Sequence, residues 1–486
     1  MASSRRAFEV GMQQIAFDPA NAGAALAQLL QSPAVFALCF DGIPTDRSSS
    51  VGQGAEARAE PYIGRTPNLR GRLARLLQPS PRHPRRLQLA GRVRRIEWRL
   101  TGSEFESLLA QFSLLETVYG AKALERMHLR APAFVRFLGG NPYPRITVTH
   151  RPSQREADWA YGPFPSRAAA ERFAEEALKL FLLRRCTDDL APNPAHPGCV
   201  YSEMKMCLAP CYQGCTDERY AEEAAAVERF LATRGESRLV QLCAQRDAAS
   251  ARLEFEAAAA LHAQVARVES VRAMAPELVR PLSRLRAIIL QAAADPGEVA
   301  VFLYENGRLR GPAGFSTLGM RIQNEQSGST SLFAHPMAID PIPEVADSKQ
   351  AEDQIAPLEG TGFSTCINAT KSGEALALEE SFLGDAIAVP DCSETVSNQP
   401  AKLARGALEA RLEAVLAALA EDSKAPSSTL RQGHLALIKR WYYRPEARRE
   451  GEIFFPDAEG HWPVKALLRG VGRVAGKMLI DGGHTA

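Results

Sequence analysis

The stretch "EPYIGRTPNLRGRLARLL", Glu60 to Leu77, decides how the fold is interpreted. Its first part is a short apolar segment with a glycine, as in a strand that ends near a turn. Its second part repeats leucine at helical spacing between arginines, and Asn68 stands where a helix N-cap is expected. The stretch therefore predicts a strand that leads directly into a basic helix.

The flanking sequence completes a small α+β unit. "AVFALCF" at 34–40 is typical of a buried strand, and "RVRRIEWRL" at 92–100 alternates as a strand does. The segment from Ser103 to Gly120 has helical period, and Ser103 followed by Glu106 is a capping-box pattern. Two strands, a helix, a third strand and a second helix predict a small antiparallel sheet with flanking helices.

Several side chains of this unit suit chemistry on a phosphodiester. Tyr62, at a strand end, can present its hydroxyl group, and Gly64 lets a phosphate approach the backbone. Arg65 and Arg72 can bind phosphate oxygens through two donors each. A metal-assisted nuclease also needs a ligand, usually a carboxylate, that holds its cation.

The order of these pieces resembles the core of the GIY-YIG nucleases, and in particular the N-terminal domain of the UvrC family of excinuclease subunits. Tyr62, Ile63 and Gly64 match that family's pattern fully. Arg65 stands where lysine is usual, and Arg72 matches the catalytic arginine. The resemblance implies an endonuclease that hydrolyses DNA with Mg²⁺ or Mn²⁺.

The sequence departs from that pattern at two positions. Phe36 replaces the tyrosine of the first strand, and in "ESLLAQ" Gln111 replaces the metal-binding glutamate of the family. Glu116 is a less well-spaced substitute for it. An amide is a poorer ligand than a carboxylate for a hard cation. The implied catalytic set is Tyr62, Arg65, Arg72 and Gln111, with a degenerate metal site. The alternative is an inactive family member that serves as a DNA-binding or partner-binding module.

A basic segment, Pro81 to Arg99, follows the predicted helix and holds many arginines and a single acid. Such clustering supplies phosphate contacts and releases counterions from DNA. The alternative is a solvent-exposed pair of basic strands without a binding function. The predicted DNA-binding residues are Arg82, Arg85, Arg86, Arg92, Arg94 and Arg95.

Five of the nine cysteines lie between Cys186 and Cys215, within "RRCTDDLAPNPAHPGCVYSEMKMCLAPCYQGC". This clustering suits a thiolate site for zinc or for an iron–sulfur cluster. The alternative is a set of incidental buried thiols. The surrounding sequence, including "YGPFPS" and "CLAPC", closely resembles the middle region of UvrC. That resemblance implies a [4Fe–4S] cluster, with Zn²⁺ as the alternative, held by Cys186, Cys199, Cys207 and Cys211.

The segment Asp247 to Val265 resembles the UVR motif, a helical hairpin by which UvrC binds UvrB. Leu253, Phe255 and Leu261 would form its apolar contact face. His262 and Ala263 replace the Arg-Asp pair that is usual there. The alternative is a plain antiparallel coiled coil.

The whole chain of 486 residues is therefore predicted to be an α+β protein with six segments. These are a GIY-YIG nuclease-like domain at 31–120, a Cys-rich middle region at 143–233, a UVR-like helical hairpin at 236–272, a small strand region at 280–320, a loosely ordered linker at 321–400 and a C-terminal helical, basic region at 401–486.

Composition and net charge exclude few classes of protein. The net charge of +2 carries no information about nucleic acid, and no apolar run approaches the length of a membrane span. The start of the chain lacks a signal-peptide pattern, which predicts a cytoplasmic protein. Together these features predict a UvrC-like DNA repair protein of nucleotide excision repair that binds damaged DNA and makes a single incision. A pure iron–sulfur redox sensor is a third hypothesis.

Overall fold

The structure is a computed structural model that describes residues 12–40, 60–78, 89–187, 190–318, 320, 399–421 and 426–482. Within these residues the chain forms three antiparallel sheets of four strands each, with helices packed against them. The predicted α+β class is confirmed. The predicted linker at 321–400 lies, apart from its last two residues, outside the described residues.

The first sheet contains the Tyr-Ile-Gly strand at its edge, and its strand order is β1-β4-β2-β3. Its strands are β1 (Gln13–Ala16), β2 (Ala34–Phe40), β3 (Tyr62–Thr66) and β4 (Val93–Leu100). Helices α1 (Ala22–Ala27) and α2 (Leu69–Leu77) supply leucines that bury the face of the sheet around Phe36. Asn68 caps α2 as predicted, since its side chain accepts a hydrogen bond from the Gly71 amide at 2.7 Å.

The next helix, α3 (Glu104–Tyr119), begins at Ser103, whose hydroxyl accepts from the Glu106 amide at 3.1 Å. The second hydrogen bond of the predicted capping box, from the Ser103 amide to the Glu106 carboxylate, is replaced by another. The Glu106 carboxylate accepts from the Gly102 amide at 2.9 Å and pairs with Arg99. Helix α3 is followed by the short α4 (Ala123–Arg126).

The second sheet has the strand order β6-β5-β7-β8. Its strands are β5 (Ala133–Phe137), β6 (Ile146–Thr149), β7 (Ala160–Phe164) and β8 (Arg280–Pro281). Its helices are α5 (Arg167–Leu178), α6 (Val200–Glu203), α7 (Asp217–Ala232), α8 (Glu236–Ala251) and α9 (Phe255–Ala273). Buried aromatic and aliphatic side chains of the sheet, α5 and α7 form one core, while α8 and α9 form an antiparallel hairpin.

The third sheet combines two distant parts of the chain in the order β11-β10-β9-β12. Its strands are β9 (Ala287–Ala292), β10 (Glu298–Glu305), β11 (Arg308–Ser316) and β12 (Glu452–Phe454). The hairpin between β10 and β11 turns at Asn306 and Gly307, both with positive φ, as the Asn-Gly pair predicts. The C-terminal helices are α10 (Gln399–Ala420), α11 (Ser428–Tyr442) and α12 (Val464–Gly482).

Helix α11 packs against α3 and against the third sheet. Its Trp441 packs in one core with Phe105 of α3 and Phe302 of β10. At Gly433 a side chain would collide with the ring of Phe112, so glycine is needed for the close approach of α11 to α3. The C-terminal segment is therefore part of the core that positions α3.

The described residues between 12 and 320, together with those from 403 to 482, form one compact unit. Of the helices that the structure describes, none has both the length and the apolar character that a membrane crossing requires. The predicted segment boundaries remain predictions.

Candidate active site

The Tyr-Ile-Gly strand is held by packing of Phe36 against Gly64. Strand β3 pairs with β2 in antiparallel register, with Gly64 opposite Phe36. A Cβ atom at Gly64 would lie 2.8 Å from Cζ of Phe36, closer than side chains pack. The Phe36 and Tyr62 ring centroids are 6.1 Å apart. Gly64 thus has a structural role here, because the phenyl ring occupies the space above it.

Tyr62 and Arg72 lie together. The Arg72 Nη2 donates to the Tyr62 hydroxyl at 3.4 Å. Arg72 is in the first turn of α2, whose leucine face is buried, so the helix that Asn68 caps fixes the guanidinium beside the strand end. The structure brings these two predicted site residues together.

Arg65 belongs to a different group of side chains. Successive strand residues point to opposite faces of a sheet. Tyr62 packs with the core around Phe36, while Ile63 packs with the core that contains α3. Arg65 lies on this second side, with its Nη1 3.4 Å from Oε1 of Glu104. Within the described residues, Arg65 shares no hydrogen bond with Tyr62 or Arg72.

Gln111 is half-buried on α3, seven residues after Glu104 and therefore on the same helical face. Along this face Gln111 lies two helical turns, about 10 Å, beyond Glu104. The four predicted catalytic residues thus divide into the pair Tyr62–Arg72 and the α3 side with Arg65 and Gln111.

Glu104 is a site residue that sequence reasoning missed. Both of its carboxylate oxygens accept from Arg444, at 2.8 and 2.9 Å, across a sequence separation of 340 residues. These hydrogen bonds and the nearby charges of Arg65 and Arg440 hold the pKa of Glu104 below its usual value, against the effect of burial. No local sequence signal marks this carboxylate, because its partners come from other segments.

A second carboxylate, Glu106, is buried on the opposite side of α3. It pairs with Arg99 at 3.2 Å and is only 4% exposed. Burial raises its pKa even though the Gly102 amide and Arg99 favour the charged form. Glu106 and Arg99 border a cavity of about 170 Å³ together with the hydroxyls of Ser113 and Thr117.

Three of the six predicted DNA-binding arginines, Arg82, Arg85 and Arg86, lie outside the described residues. The guanidinium of Arg92 stacks on the Phe40 ring, 5.2 Å from its centroid. Arg94 is exposed and donates to the carbonyls of Gly91 and Val93. Arg95 pairs with Glu97 at 2.7 Å. Part of the positive charge of this segment is therefore engaged within the sheet.

The four predicted thiol ligands are neighbours in the middle region. Cys211 lies close enough to Cys199 to help lower the pKa of the Cys199 thiol. Burial raises the pKa of Cys207 to about 11, and the charges of Cys186, Cys199 and Cys211 add to that effect. The sulfur atoms of Cys186, Cys199 and Cys211 therefore lie within electrostatic reach of Cys207.

Backbone and side-chain donors point at these sulfur atoms. The Ala209 amide donates to Cys207 Sγ at 3.3 Å, and Arg184, 3% exposed, donates to Cys186 Sγ at 3.7 Å. Burial of Cys199 opposes ionisation, but hydrogen bonds from Ser202 and Tyr201 outweigh it and lower the Cys199 pKa. Such donors stabilise thiolates and tune the metal centres that thiolates bind.

In the described part of the chain, no three His, Cys, Asp or Glu side chains are placed so that they could hold a metal ion. The four thiols fit a thiophilic centre by donor type and by mutual proximity, but their positions do not form a finished ligand cage. The fifth cysteine, Cys215, lies near Asp217, and burial followed by that charge raises its pKa.

The helical hairpin of α8 and α9 presents apolar side chains at its turn. Leu253 is 71% exposed and Phe255 68% exposed. Leu261, the third residue of the predicted contact face, is half-buried against the core of the second sheet. The exposed part of the predicted face is therefore the turn of the hairpin.

Comparison with known proteins identifies the middle of the chain. The family described as "UvrC/Cho excinuclease, middle domain" matches residues 134–230. This segment includes β5 from Phe134 onward, β6, β7, α5, all four predicted thiol ligands and most of α7.

Curated relatives agree with that match. The chain is 31% identical over 211 residues to the UvrABC system protein C of Alcanivorax borkumensis, covering 43% of this chain and 34% of the relative. It is 29% identical over 211 residues to the Pseudomonas protegens protein of the same name, with the same coverage. It is 30% identical over 218 residues to the Pseudomonas entomophila protein, covering 45% of this chain and 35% of the relative.

The chain thus spans about a third of the length of the curated relatives that it matches. No solved structure is significantly similar to it.

Proposed function

We propose that this chain, a UvrC-like protein that carries a UvrC/Cho middle domain, acts in nucleotide excision repair, binds damaged duplex DNA and makes one metal-dependent incision. The observation that carries the incision is the hydrogen bond of 3.4 Å between Arg72 and Tyr62, on a strand–helix unit that precedes the middle domain. Its nine cysteines favour a reducing compartment, the cytoplasm, as the place of action.

Tyr62 and Arg72 would act on the phosphodiester directly. The Tyr62 oxygen, oriented by Arg72, would position the attacking water or, as the phenolate, accept a proton from it. A guanidinium has five N–H donors, so Arg72 keeps donors for the oxygens of the phosphate while one contacts Tyr62. A fixed cation beside the developing negative charge is the usual way in which such a transition state is stabilised.

The residues near Gln111 do not fit a divalent-cation site in this geometry. Gln111 offers only a neutral amide oxygen, and within the described residues no three acidic, histidine or cysteine side chains could hold an ion. We therefore assign proton transfer and stabilisation of the phosphate that is cleaved to Tyr62 and Arg72. Mg²⁺ or Mn²⁺ enters the proposal only as a required component of the reaction mixture.

A nicking assay on a lesion-containing duplex, with Mg²⁺ or Mn²⁺ present, tests the incision. We expect Arg72→Ala to lower the nicking rate by about 10²–10³, as the loss of one transition-state donor does. Arg75→Ala is the matched control, because Arg75 lies on the same helix, is exposed and donates only to the Gly71 carbonyl. If the wild-type protein nicks no faster than Arg72→Ala, the proposed nuclease activity is refuted.

A second candidate function is that of an inactive family member that binds DNA or a partner. The replacement of the metal-binding glutamate by Gln111 favours it. Under this alternative the wild-type chain binds the damaged duplex without cutting it, and Gln111→Glu restores nicking. If Gln111→Glu also leaves the DNA intact, the missing carboxylate is not the reason for inactivity.

For the middle region we propose a [4Fe–4S] cluster at Cys186, Cys199, Cys207 and Cys211, with Zn²⁺ as the alternative. The proximity of the four thiols and the donors that point at them support a thiolate centre. A cubane cluster separates its cysteine sulfurs more widely than a single ion does. This difference is consistent with thiols that are neighbours but form no single-ion cage.

For the hairpin we propose a helical protein partner similar to UvrB. The exposed Leu253 and Phe255 at its turn support this, because such side chains are seldom left in water without a function. Leu253→Asp combined with Phe255→Asp should abolish capture of a UvrB-like protein. Undiminished capture would contradict the assignment of this surface.

A further inference from the structure

Three arginines from two distant parts of the chain surround the carboxylate of Glu104. Arg65, from the Tyr-Ile-Gly strand, lies 3.4 Å from it. Arg444, just after α11, binds both of its oxygens at 2.8 and 2.9 Å. Arg440, one turn earlier on α11, is close enough that its charge helps to lower the pKa of Glu104.

Positive charge exceeds negative charge in this cluster. Glu104 faces three guanidinium groups, and Glu450 is a second carboxylate whose charge acts on Arg444. Arginine stays charged at any physiological pH. The site is also open to solvent, since the side chains of Arg65 and Arg444 are 33% and 25% exposed and Arg440 is exposed. A concentrated, partly exposed positive charge with arginine geometry attracts anions that offer several oxygens, above all phosphates.

The core fixes the positions of these arginines. The Trp441 ring, between Arg440 and Arg444 in sequence, packs 5.4 Å from Phe105, the neighbour of Glu104. The Trp441 indole donates to the Glu450 carbonyl at 2.9 Å, and the Tyr443 hydroxyl donates to the Pro163 carbonyl at 2.7 Å. Because these contacts already order the segment, an anion would bind without the cost of ordering a loop.

We propose that Arg65, Arg440 and Arg444 form a binding site for the phosphodiester backbone of DNA, with Glu104 as the carboxylate that orients Arg444. Two of the five donors of Arg444 are used on Glu104, which leaves three for phosphate oxygens. The proposal rests on the proposed function for the presence of DNA. It adds the C-terminal segment, which the match to the middle-domain family does not include, to the DNA-binding surface.

Salt-dependent binding of the full-length protein to a fluorescently labelled duplex tests this site. Between about 50 and 200 mM salt, the logarithm of the binding constant falls with a slope of about −0.9 per phosphate contacted. We expect Arg440→Ala to make the slope shallower by about one and to weaken binding several-fold at the lower salt concentration. Arg252→Ala is the control, because it removes one exposed positive charge at the turn of the hairpin and should leave the slope unchanged.

Glu104→Gln provides a second measurement, in which the affinity for DNA should change in the opposite direction to that of Arg440→Ala. Removing the carboxylate charge that partly neutralises Arg65 and Arg444 should tighten DNA binding several-fold, whereas a merely structural ion pair would give no tighter binding. Thermal unfolding of each variant verifies that it is folded.

An unchanged slope for Arg440→Ala would overturn the inference while the proposed function stands, provided that the wild type binds the duplex. Wild-type protein that does not bind duplex DNA even in dilute salt would overturn both. If Arg440→Ala loses binding to a polyglutamate peptide while its DNA slope is unchanged, the cluster binds an acidic protein partner instead. That result would also overturn the inference.

Discussion

The Tyr-Ile-Gly unit and the cysteine-rich loop differ in how their chemistry relates to their packing. The first has a dense core around Phe36 but lacks the carboxylate that its resemblance calls for, because Gln111 takes its place. The second has all four expected thiols, yet much of the chain between Cys186 and Cys211 has no regular secondary structure. One region is stabilised by apolar packing, and for the other we propose that a bound metal centre organises the loop.

The largest expected difference between the two regions concerns metal removal. Protein purified without oxygen should be brown, with iron and sulfide in equal amounts. Cys207→Ser or Cys211→Ser should remove all of the colour and increase proteolysis between Cys186 and Cys215, while leaving the nuclease-like unit protected. Cys39→Ser is the control, since Cys39 lies in β2 of the first sheet.

Colourless anaerobic protein with one bound zinc would replace the cluster by zinc and keep the site. Protein without any metal would refute both, and the difference between the two regions would then have another cause.

Acid should destabilise the core between α3, α11 and the third sheet through His434. This histidine of α11 is 3% exposed, its Nδ1 accepts from the Leu309 amide at 3.0 Å, and its ring meets the edge of Phe112. Burial, aided by the charge of Arg308, lowers its pKa to about 3 from an ordinary 6.5. Below pH 6.5 the unfolded chain therefore binds a proton that the folded chain does not.

The stabilisation is thus complete above about pH 6.5 and is lost as the pH falls towards 3, by about 1.4 kcal/mol per pH unit. Urea unfolding at several pH values measures this slope. His434→Gln, whose side-chain oxygen can accept from the Leu309 amide, should flatten it. Equal slopes for the variant and the wild type would assign the acid sensitivity to other groups.

A substitution at Gly64 should lower the free energy of unfolding by less than the protonation of His434 does. It should affect only the Tyr-Ile-Gly unit. In Gly64→Ala the new methyl group collides with Phe36, and we expect a loss of about 1–3 kcal/mol in the free energy of unfolding. Gly91→Ala is the control, because a Cβ atom there meets no atom within 4 Å. Phe36→Leu combined with Gly64→Ala should recover part of the loss, and a double variant as unstable as the sum of both would contradict this steric account.

The smallest effect is expected at the ion pair between Arg444 and Glu104. Both side chains are partly exposed, so Arg444→Ala should lower the free energy of unfolding by about 1 kcal/mol or less. Arg167→Ala breaks the exposed i,i+4 pair with Glu171 and should cost about 0.3–0.5 kcal/mol. A loss of several kcal/mol in Arg444→Ala would mean that charge, rather than the packing of Trp441, holds the C-terminal segment to α3.

The sequence by itself determined the features that depend on neighbouring residues. Strand β2, the Asn68 cap of α2 and the Asn306-Gly307 turn could be predicted because each is decided within a few residues, by burial, capping or positive φ. The cysteine set could be named from its spacing and from the resemblance of its surroundings.

The tertiary structure alone decided which distant groups meet. Nothing near Glu104 in sequence marks Arg444 as its partner, and nothing near β9 marks β12 as its neighbour. Arg65 and Tyr62 are three residues apart, yet they belong to different groups because alternate strand residues face opposite sides of a sheet. Local patterns specify elements, whereas the burial of their apolar faces against one another selects the pairs of charged side chains that converge beside the core.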